Sequence, residues 1–373
     1  MALLFATAVT LLPSSPASAD QARRDQWHLE QLKVTEAHKV TQGEGVIVAV
    51  IDSGVEPHSD LRNNLLRGTA TFAGGSGDGR QDGDPNGHGT AMAGLIAAHG
   101  RGSSGALGIA PKAKILPIRD VKRDQGTSDD TAAAIEWAIS RSADIISLSA
   151  SVGATSRLNA AVRAALKADI VVVAAAGNRP GDLLIQFPAA IKGVVAVGAT
   201  DKSGNHAAVS VTGSRLAISA PGVGVYTTAR DGGYRSGTGT SFSTAIVAGA
   251  AALVRSKFPD LSAEEVVHRL TATADDKGAP GRDEEYGYGV VNLVKALTAD
   301  VPPLEGDANP SASAAPSLSQ TQPAANAAPE PEDKSGIGST ILIGVLVALV
   351  VLGLVVTLLV VFLVRRRQQP RRF

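Results

Sequence analysis

The chain contains no cysteine. That absence excludes disulfides, cysteine-ligated zinc and a thiol nucleophile. An exported chain without disulfides must be held by its apolar core, and 373 residues with 44% hydrophobic content suffice for one large core with tails at either end. Aromatic residues make up only 3%, too few for base-stacking platforms. An excess of charge is also missing: 35 Lys and Arg balance 35 Asp and Glu, so nothing draws the chain to nucleic acid. Glycine is plentiful, with 40 residues, and so is alanine, which suits tight turns and close backbone approach.

Charge is also absent from two terminal runs. Residues Ala2–Leu12 are almost wholly apolar, Pro13–Pro16 interrupt the run, and Ala17-Ser18-Ala19 fits a small-residue cleavage site before Asp20. Residues 1–19 are therefore expected to be a signal peptide, although no Lys or Arg precedes the apolar run, a departure from the usual pattern. From Ile337 to Val364 no residue is charged, and ~20 apolar residues already cross a bilayer. This stretch is expected to be a transmembrane helix. Arg365, Arg366, Arg367, Arg371 and Arg372 follow in a basic tail, residues 365–373. Positive flanks stay cytoplasmic, which puts residues 20–336 outside the plasma membrane. Residues 301–336 are rich in Pro, Ala and Ser without apolar periodicity and read as an extended linker.

Between these ends, residues 20–300 alternate strand-like and helix-like runs. Strands are expected at Gly45–Ile51, Ala113–Ile118, Ile145–Ser149, Ile170–Ala175 and Val194–Ala199, with helices at Thr131–Ser140 and Leu158–Lys167. Continuous apolar strands separated by helices imply an α/β fold, a parallel sheet with helices on both faces. Ligands bind beyond the carboxyl ends of such strands. Asp52 directly follows the first strand, and Asn178 follows the strand ending at Ala175.

Three short motifs stand in order: Asp52-Ser53-Gly54, Gly87-His88-Gly89-Thr90 and Gly239-Thr240-Ser241, the last two each opening a helical run. A serine hydroxyl becomes a nucleophile when a base takes its proton. His88 titrates near neutrality and suits that task; Asp52 would fix its tautomer and stabilise the imidazolium. Ser241 at a helix N-terminus would sit in a positive field, and the Asn178 amide can donate to a developing oxyanion. Each motif alone has a plainer reading: Asp52 as a strand-end turn former, Asn178 as a turn residue. The other six histidines have no partner pattern and read as structural or surface residues.

Asp-Ser-Gly, His-Gly-Thr and Gly-Thr-Ser in this order resemble the subtilisin-like (subtilase) serine proteases. The likeness runs over roughly Trp27 to Ala296 and includes GVIVAVIDSGVEPHSDL, GHGTAMAGLIAA and GTSFSTAIVAGAAALV. The resemblance implies serine endopeptidase activity on protein or peptide substrates with no cofactor. It implies that Ser147, Leu148 and Ser149 form an edge pairing with a substrate strand, that Ala175, Ala176 and Gly177 form one wall of a specificity pocket, and that Phe187-Pro188 matches a segment whose proline is often cis. Two segments depart from the family pattern, Ala91-Met92 after His-Gly-Thr and Phe242–Ala245 after Gly-Thr-Ser, and the second reshapes the surroundings of Ser241.

Many relatives bind calcium through an aspartate after the first strand and an Asn-rich loop. Asp60 matches the first, but His99–Gly105 has no Asn or Asp, so no metal site of that type is expected. The acidic stretch Asp78–Asp84 lacks an EF-hand's closing glutamate and reads as a solvated loop. The residues between Asp20 and Asp52 already match the mature family N-terminus, which leaves no room for a long pro-segment. With the linker and the basic-flanked span, this organisation resembles the mycosins, membrane-anchored subtilases of type VII secretion systems. Three roles follow from that resemblance: an endopeptidase that processes proteins at such a system, a structural subunit of the secretion complex whose proteolysis is dispensable, or a leader peptidase that matures one exported peptide.

Overall fold

The apolar runs form the strands, and their bounds follow where the hydrophobic residues stop. In the computed structural model, which describes residues 16–122 and 126–304, the chain opens with three short helices, α1 (Pro16–Asp25), α2 (Trp27–Gln31) and α3 (Val34–Ala37). Then come β1 (Ile47–Asp52), β2 (Thr69–Ala70), α4 (His88–Ala97), the hairpin β3 (His99–Arg101) and β4 (Ser104–Leu107), β5 (Lys114–Arg119), α5 (Ser128–Ser140), β6 (Ile145–Leu148) and α6 (Ser156–Lys167). The remainder is β7 (Val171–Ala175), β8 (Val195–Thr200), β9 (Leu216–Pro221), the hairpin β10 (Val225–Thr228) and β11 (Tyr234–Gly237), α7 (Thr240–Lys257), α8 (Ala263–Ala272) and α9 (Leu293–Thr298). The residues of the expected signal peptide before 16, the linker beyond 304, the expected span 337–364 and the basic tail lie outside the described residues. Among the described residues no helix is long and apolar enough to cross a membrane.

Seven strands form one sheet in the order β2-β5-β1-β6-β7-β8-β9, paired in parallel throughout. Side chains alternate between its two faces. Val48 and Val50 face one core, shared with α4 and α7, while Ala49 and Ile51 face the other, shared with α5 and α6. Burying each Val or Ile side chain is worth about 1.5–3 kcal/mol, and both faces of β1 are covered. Helix α7 is buried from Thr240 to Arg255 and runs beneath the sheet. Its alanines and its one glycine permit close approach: a Cβ on Gly249 would lie 2.7 Å from Ile109 Cβ.

The strand order places β1 between β5 and β6, so the chain moves to opposite sides of β1 after the two connections. That switch point is where open α/β sheets form a crevice. Helix α1 is laced onto β4, where Arg23 donates to the carbonyls of Gly105 (3.0 Å) and Ser104 (3.1 Å). The expected cleavage point after Ala19 falls within α1, and both Ala19 and Ala22 are buried.

Candidate active site

Asp52 is the last residue of β1 and is 6% exposed. His88 is the first residue of α4. Its Nδ1 lies 2.9 Å from both Asp52 oxygens, so the imidazole donates there and keeps Nε2 free to accept a proton. The Ser53 N–H donates to Asp52 Oδ1 at 2.7 Å. Burial alone would raise the Asp52 carboxyl, but the charge and hydrogen bond of His88, with the backbone bond from Ser53, hold it below the usual range. Burial alone would likewise lower His88; Asp52, with Asp84 and Asp82, outweighs it and raises the imidazole above its ordinary value. Gly89 permits this approach, because a Cβ there would collide with the Gly54 carbonyl.

Ser241 is the second residue of α7 and is also 6% exposed. Its hydroxyl donates to the Ser149 carbonyl at 3.2 Å rather than to His88. Resting hydrogen bonds of this kind are often rearranged until a substrate is present, and a rotation about χ1 redirects the proton. The parallel register pairs Ile51 with Leu148, so the next residues along, Asp52 and Ser149, lie side by side at the carboxyl edge of the sheet.

Asn178 follows β7 and is half-buried. The Thr240 N–H, which can only donate, contacts its side-chain oxygen at 2.9 Å, and the Thr240 hydroxyl adds a second contact at 3.2 Å. These fix the amide orientation and leave Nδ2 as a donor without a partner among the described residues. The backbone before it turns at Gly177, with φ +117°, and Asp182 accepts the Asn178 N–H at 2.8 Å.

The structure thus brings Asp52, His88, Ser241 and Asn178 to one edge. The residues read as substrate contacts separate. Ser147 and Leu148 pair with Val50 and Ile51 on one side and with Val173 and Ala174 on the other, and both are buried. Their backbone groups already belong to the ladder, so the free edge begins at Ser149 and continues through the partly exposed Ala150 and exposed Ser151. Ala175, Ala176 and Gly177 are buried beneath the Asn178 turn. The Phe187–Pro188 bond is cis. A cavity of about 700 Å³ between α6 and α8, lined by Leu166, Phe187 and Val267 among others, contains none of the four edge residues.

Asp60 is fully buried, and its oxygens accept from Arg101 Nε (3.1 Å), the Ala106 N–H (2.8 Å) and the Tyr234 hydroxyl (2.7 Å). These are donors, with a guanidinium supplying the positive charge. No group of His, Asp or Glu among the described residues is arranged to hold a metal ion. The acidic loop differs from the sequence expectation at one position: Asp82 turns inward and is 7% exposed.

Asp120, just beyond β5, is a buried acid that sequence reasoning passed over. Its N–H donates to the Asp52 carbonyl (3.1 Å), Oδ2 accepts from Thr131 Oγ1 (2.8 Å), and Oδ1 has no partner among the described residues. Burial pushes its pKa up to about 7, with the charge of Asp52 adding to the rise. The folded chain then holds a proton that the unfolded chain releases near pH 3.8. The associated stability is fully present below the unfolded value and lost as pH rises towards 7, at about 1.4 kcal/mol per unit of separation. Asp120→Asn, which keeps an acceptor for Thr131, is expected to lack this decline. Calorimetric melting in a Ser241→Ala background, where self-digestion is blocked, should show its advantage over the Asp120 chain widening from pH 4 to pH 7. A constant difference across that range would contradict the assignment.

Comparison with known proteins places this geometry. A model of the subtilase family, Peptidase S8, matches residues 43–289. The thermostable alkaline protease of Halalkalibacterium halodurans is 38% identical over 273 residues, which cover 72% of this chain and 73% of that protein. Subtilisin BL of Lederbergia lenta is 39% identical over 273 residues, covering 72% of this chain and 97% of that protein. Among solved structures, MycP1 from Mycobacterium smegmatis superposes with a TM-score of 0.67 at 28% identity, over 74% of this chain and 85% of that chain. The MycP3 protease from the type VII (ESX-3) secretion system does so with a TM-score of 0.66 at 33% identity, over 77% and 90%.

Proposed function

We propose, from the premise that this chain belongs to the subtilase family and is a serine endopeptidase, that Asp52, His88, Ser241 and Asn178 carry the reaction and that it is performed at the outer face of a membrane. The observation that carries the reading is the Asp52–His88 pair at 2.9 Å, at the same sheet edge as Ser241 and an Asn178 amide held by Thr240.

The chemistry follows from these groups. Ser241 Oγ attacks the scissile carbonyl carbon while His88 Nε2 takes the hydroxyl proton, and Asp52 stabilises the imidazolium. The carbonyl oxygen becomes negative and accepts from Asn178 Nδ2, in the positive field at the start of α7. His88 then gives its proton to the leaving amine, the C–N bond breaks, and an acyl-enzyme remains. Water attacks the ester with His88 again taking the proton, and return of that proton to Ser241 Oγ releases the acid and restores the resting state. The backbone from Ser149 to Ser151 is suited to holding the substrate as an added strand.

The finer setting is read from the ends of the sequence. The apolar run 337–364, its arginine flank and the Pro-rich linker support a single-pass anchor with the peptidase domain outside. The likeness to MycP1 and MycP3 supports processing of proteins at a type VII secretion system. The test compares the N-termini of exported proteins from cells carrying the native chain and the Ser241→Ala chain. At least one exported protein is expected to retain an uncleaved N-terminus in the variant. Identical N-termini, together with export lost only when the whole chain is deleted, would instead support a structural subunit.

A further inference from the structure

Asp82 lies in the loop that leads into α4, well beyond β1 in the chain, and its side chain touches both the turn after β1 and the first turn of α4. Its Oδ1 accepts the Ser53 hydroxyl at 2.7 Å and the Asp84 N–H at 3.0 Å. Its Oδ2 accepts the Thr90 hydroxyl at 2.6 Å and the Thr90 N–H at 2.8 Å. Ser53 is next to Asp52, and Thr90 is two residues beyond His88. The Ser53 hydroxyl oxygen also receives the Gly89 N–H at 3.0 Å. It lies 3.1 Å from Asp52 Oδ1, so its single proton goes to the nearer carboxylate, that of Asp82.

We propose that Asp82 is a positioning residue for the Asp52–His88 pair, clamping the turn after β1 to the first turn of α4 through Ser53 and Thr90. The proposal rests on the assignment of Asp52, His88 and Ser241 given above. Four donors on two oxygens fill the acceptor capacity of a carboxylate and leave no site for a proton. Burial works the other way, pushing the Asp82 carboxyl up, with Asp52 adding to it. Burial wins, so the carboxyl is raised, and the hydrogen bonds from Thr90 and Ser53 oppose that rise by favouring the ionised form.

An amide cannot replace this group. Each Asp82 oxygen meets a backbone N–H, from Asp84 on one side and Thr90 on the other. Whichever way an asparagine amide is turned, its NH2 faces a donor that cannot turn away. The clamp also has an electrostatic part, since the Asp82 charge helps to raise His88. The other charges around His88 come from Asp52 on β1 and Asp84 in the loop. On the β10–β11 hairpin, Arg230 and Arg235 hold the carbonyls of Asp84 and Asn86, and Glu56 pairs with Arg230; Arg119 lies against Gly83. A substitution at Asp82 removes none of these other charges.

The test measures kcat, KM and the pH profile of kcat/KM for the whole chain and for Asp82→Asn and Thr90→Val, with active sites counted by fluorophosphonate titration. Asp82→Asn is expected to lower kcat by about tenfold or more, with KM little changed. Its acid limb should move to lower pH, because His88 loses a neighbouring negative charge. Thr90→Val removes one arm of the clamp and keeps the charge, so kcat should fall while the acid limb stays. A residue with only a structural role would reduce the count of active sites and leave the limb of the survivors unmoved. Native kcat and an unmoved limb in a folded Asp82→Asn chain would overturn the proposal. If that variant does not fold, native kcat in Thr90→Val overturns it. An inert native chain points instead to failure of the underlying Ser241 assignment, so the two failures are distinguishable.

Discussion

Ser241→Ala is expected to lower kcat towards a peptide substrate by a factor on the order of 10⁶, the size measured when the nucleophile of a subtilisin is removed. The effect is large because, in the mechanism proposed above, this hydroxyl forms the acyl-enzyme. Asp52 and His88 act through it and cannot compensate. What survives is the part of catalysis that needs no nucleophile, namely binding and the Asn178 donor beside α7. The substitution removes one oxygen and one hydrogen bond, to the Ser149 carbonyl, from a helix buried along most of its length. Thermal stability should therefore be kept, and a melting curve run beside the kinetic assay separates lost chemistry from lost fold.

Asp52→Asn is expected to cost a factor on the order of 10⁴ in kcat at neutral pH, with the fold intact. The mechanism of the loss differs from that of Ser241→Ala. An amide facing His88 Nδ1 no longer requires that nitrogen to be the donor, so the tautomer with Nε2 free is no longer enforced. The imidazolium formed on proton transfer also loses its counter-charge. The sign of the pH effect follows from the same contacts. Asp52 is the chief influence raising His88, so the native acid limb of kcat/KM should lie above the ordinary histidine range, and in Asp52→Asn it should shift to lower pH. Asp52→Asn activity within tenfold of native would contradict the assignment of Asp52.

These expectations were open to sequence reading because the catalytic motifs sit at element boundaries. The run Ile47–Ile51 is apolar at every position, which marks a strand covered on both faces and puts Asp52 at its carboxyl end. Helices α4 and α7 were legible from the runs rich in small apolar residues that begin at Ala91 and Ala245, shortly after His88 and Ser241. The substrate edge was harder. Ser147 is a polar residue near a strand end, and polarity suggests exposure, yet β6 pairs on both sides as far as Leu148 and encloses it. The length of the facing strand, which pairs Leu148 with Ala174, is the signal that moves the edge to Ser149.

Other features depended on contacts that composition does not reveal. Strand β9 reads LAISAP, rich in small residues, and gives little strand signal by itself; its place is secured by pairing with β8. Helix α8 carried a usable sign, the capping box of Ser262 and Glu265. Asp82 was read as solvated because acidic loops usually are. Only the folded chain shows that Ser53, from the turn after β1, and Thr90, from the first turn of α4, supply the hydroxyls that make its burial tolerable. Asp60 shows the same limit, since its partners Arg101 and Tyr234 come from two separate hairpins.

If Ser241 is a nucleophile activated by His88 and Asp52, it reacts covalently with an electrophile that mimics the scissile carbonyl. The folded native chain should be treated with a serine-directed fluorophosphonate, and the modified residue located by peptide mass spectrometry. One phosphonyl group per chain, on Ser241, is the predicted result, with labelling greatly slowed in Asp52→Asn and absent in Ser241→Ala. A folded native chain that is not labelled, or is labelled elsewhere at the same rate in all three proteins, would contradict the account.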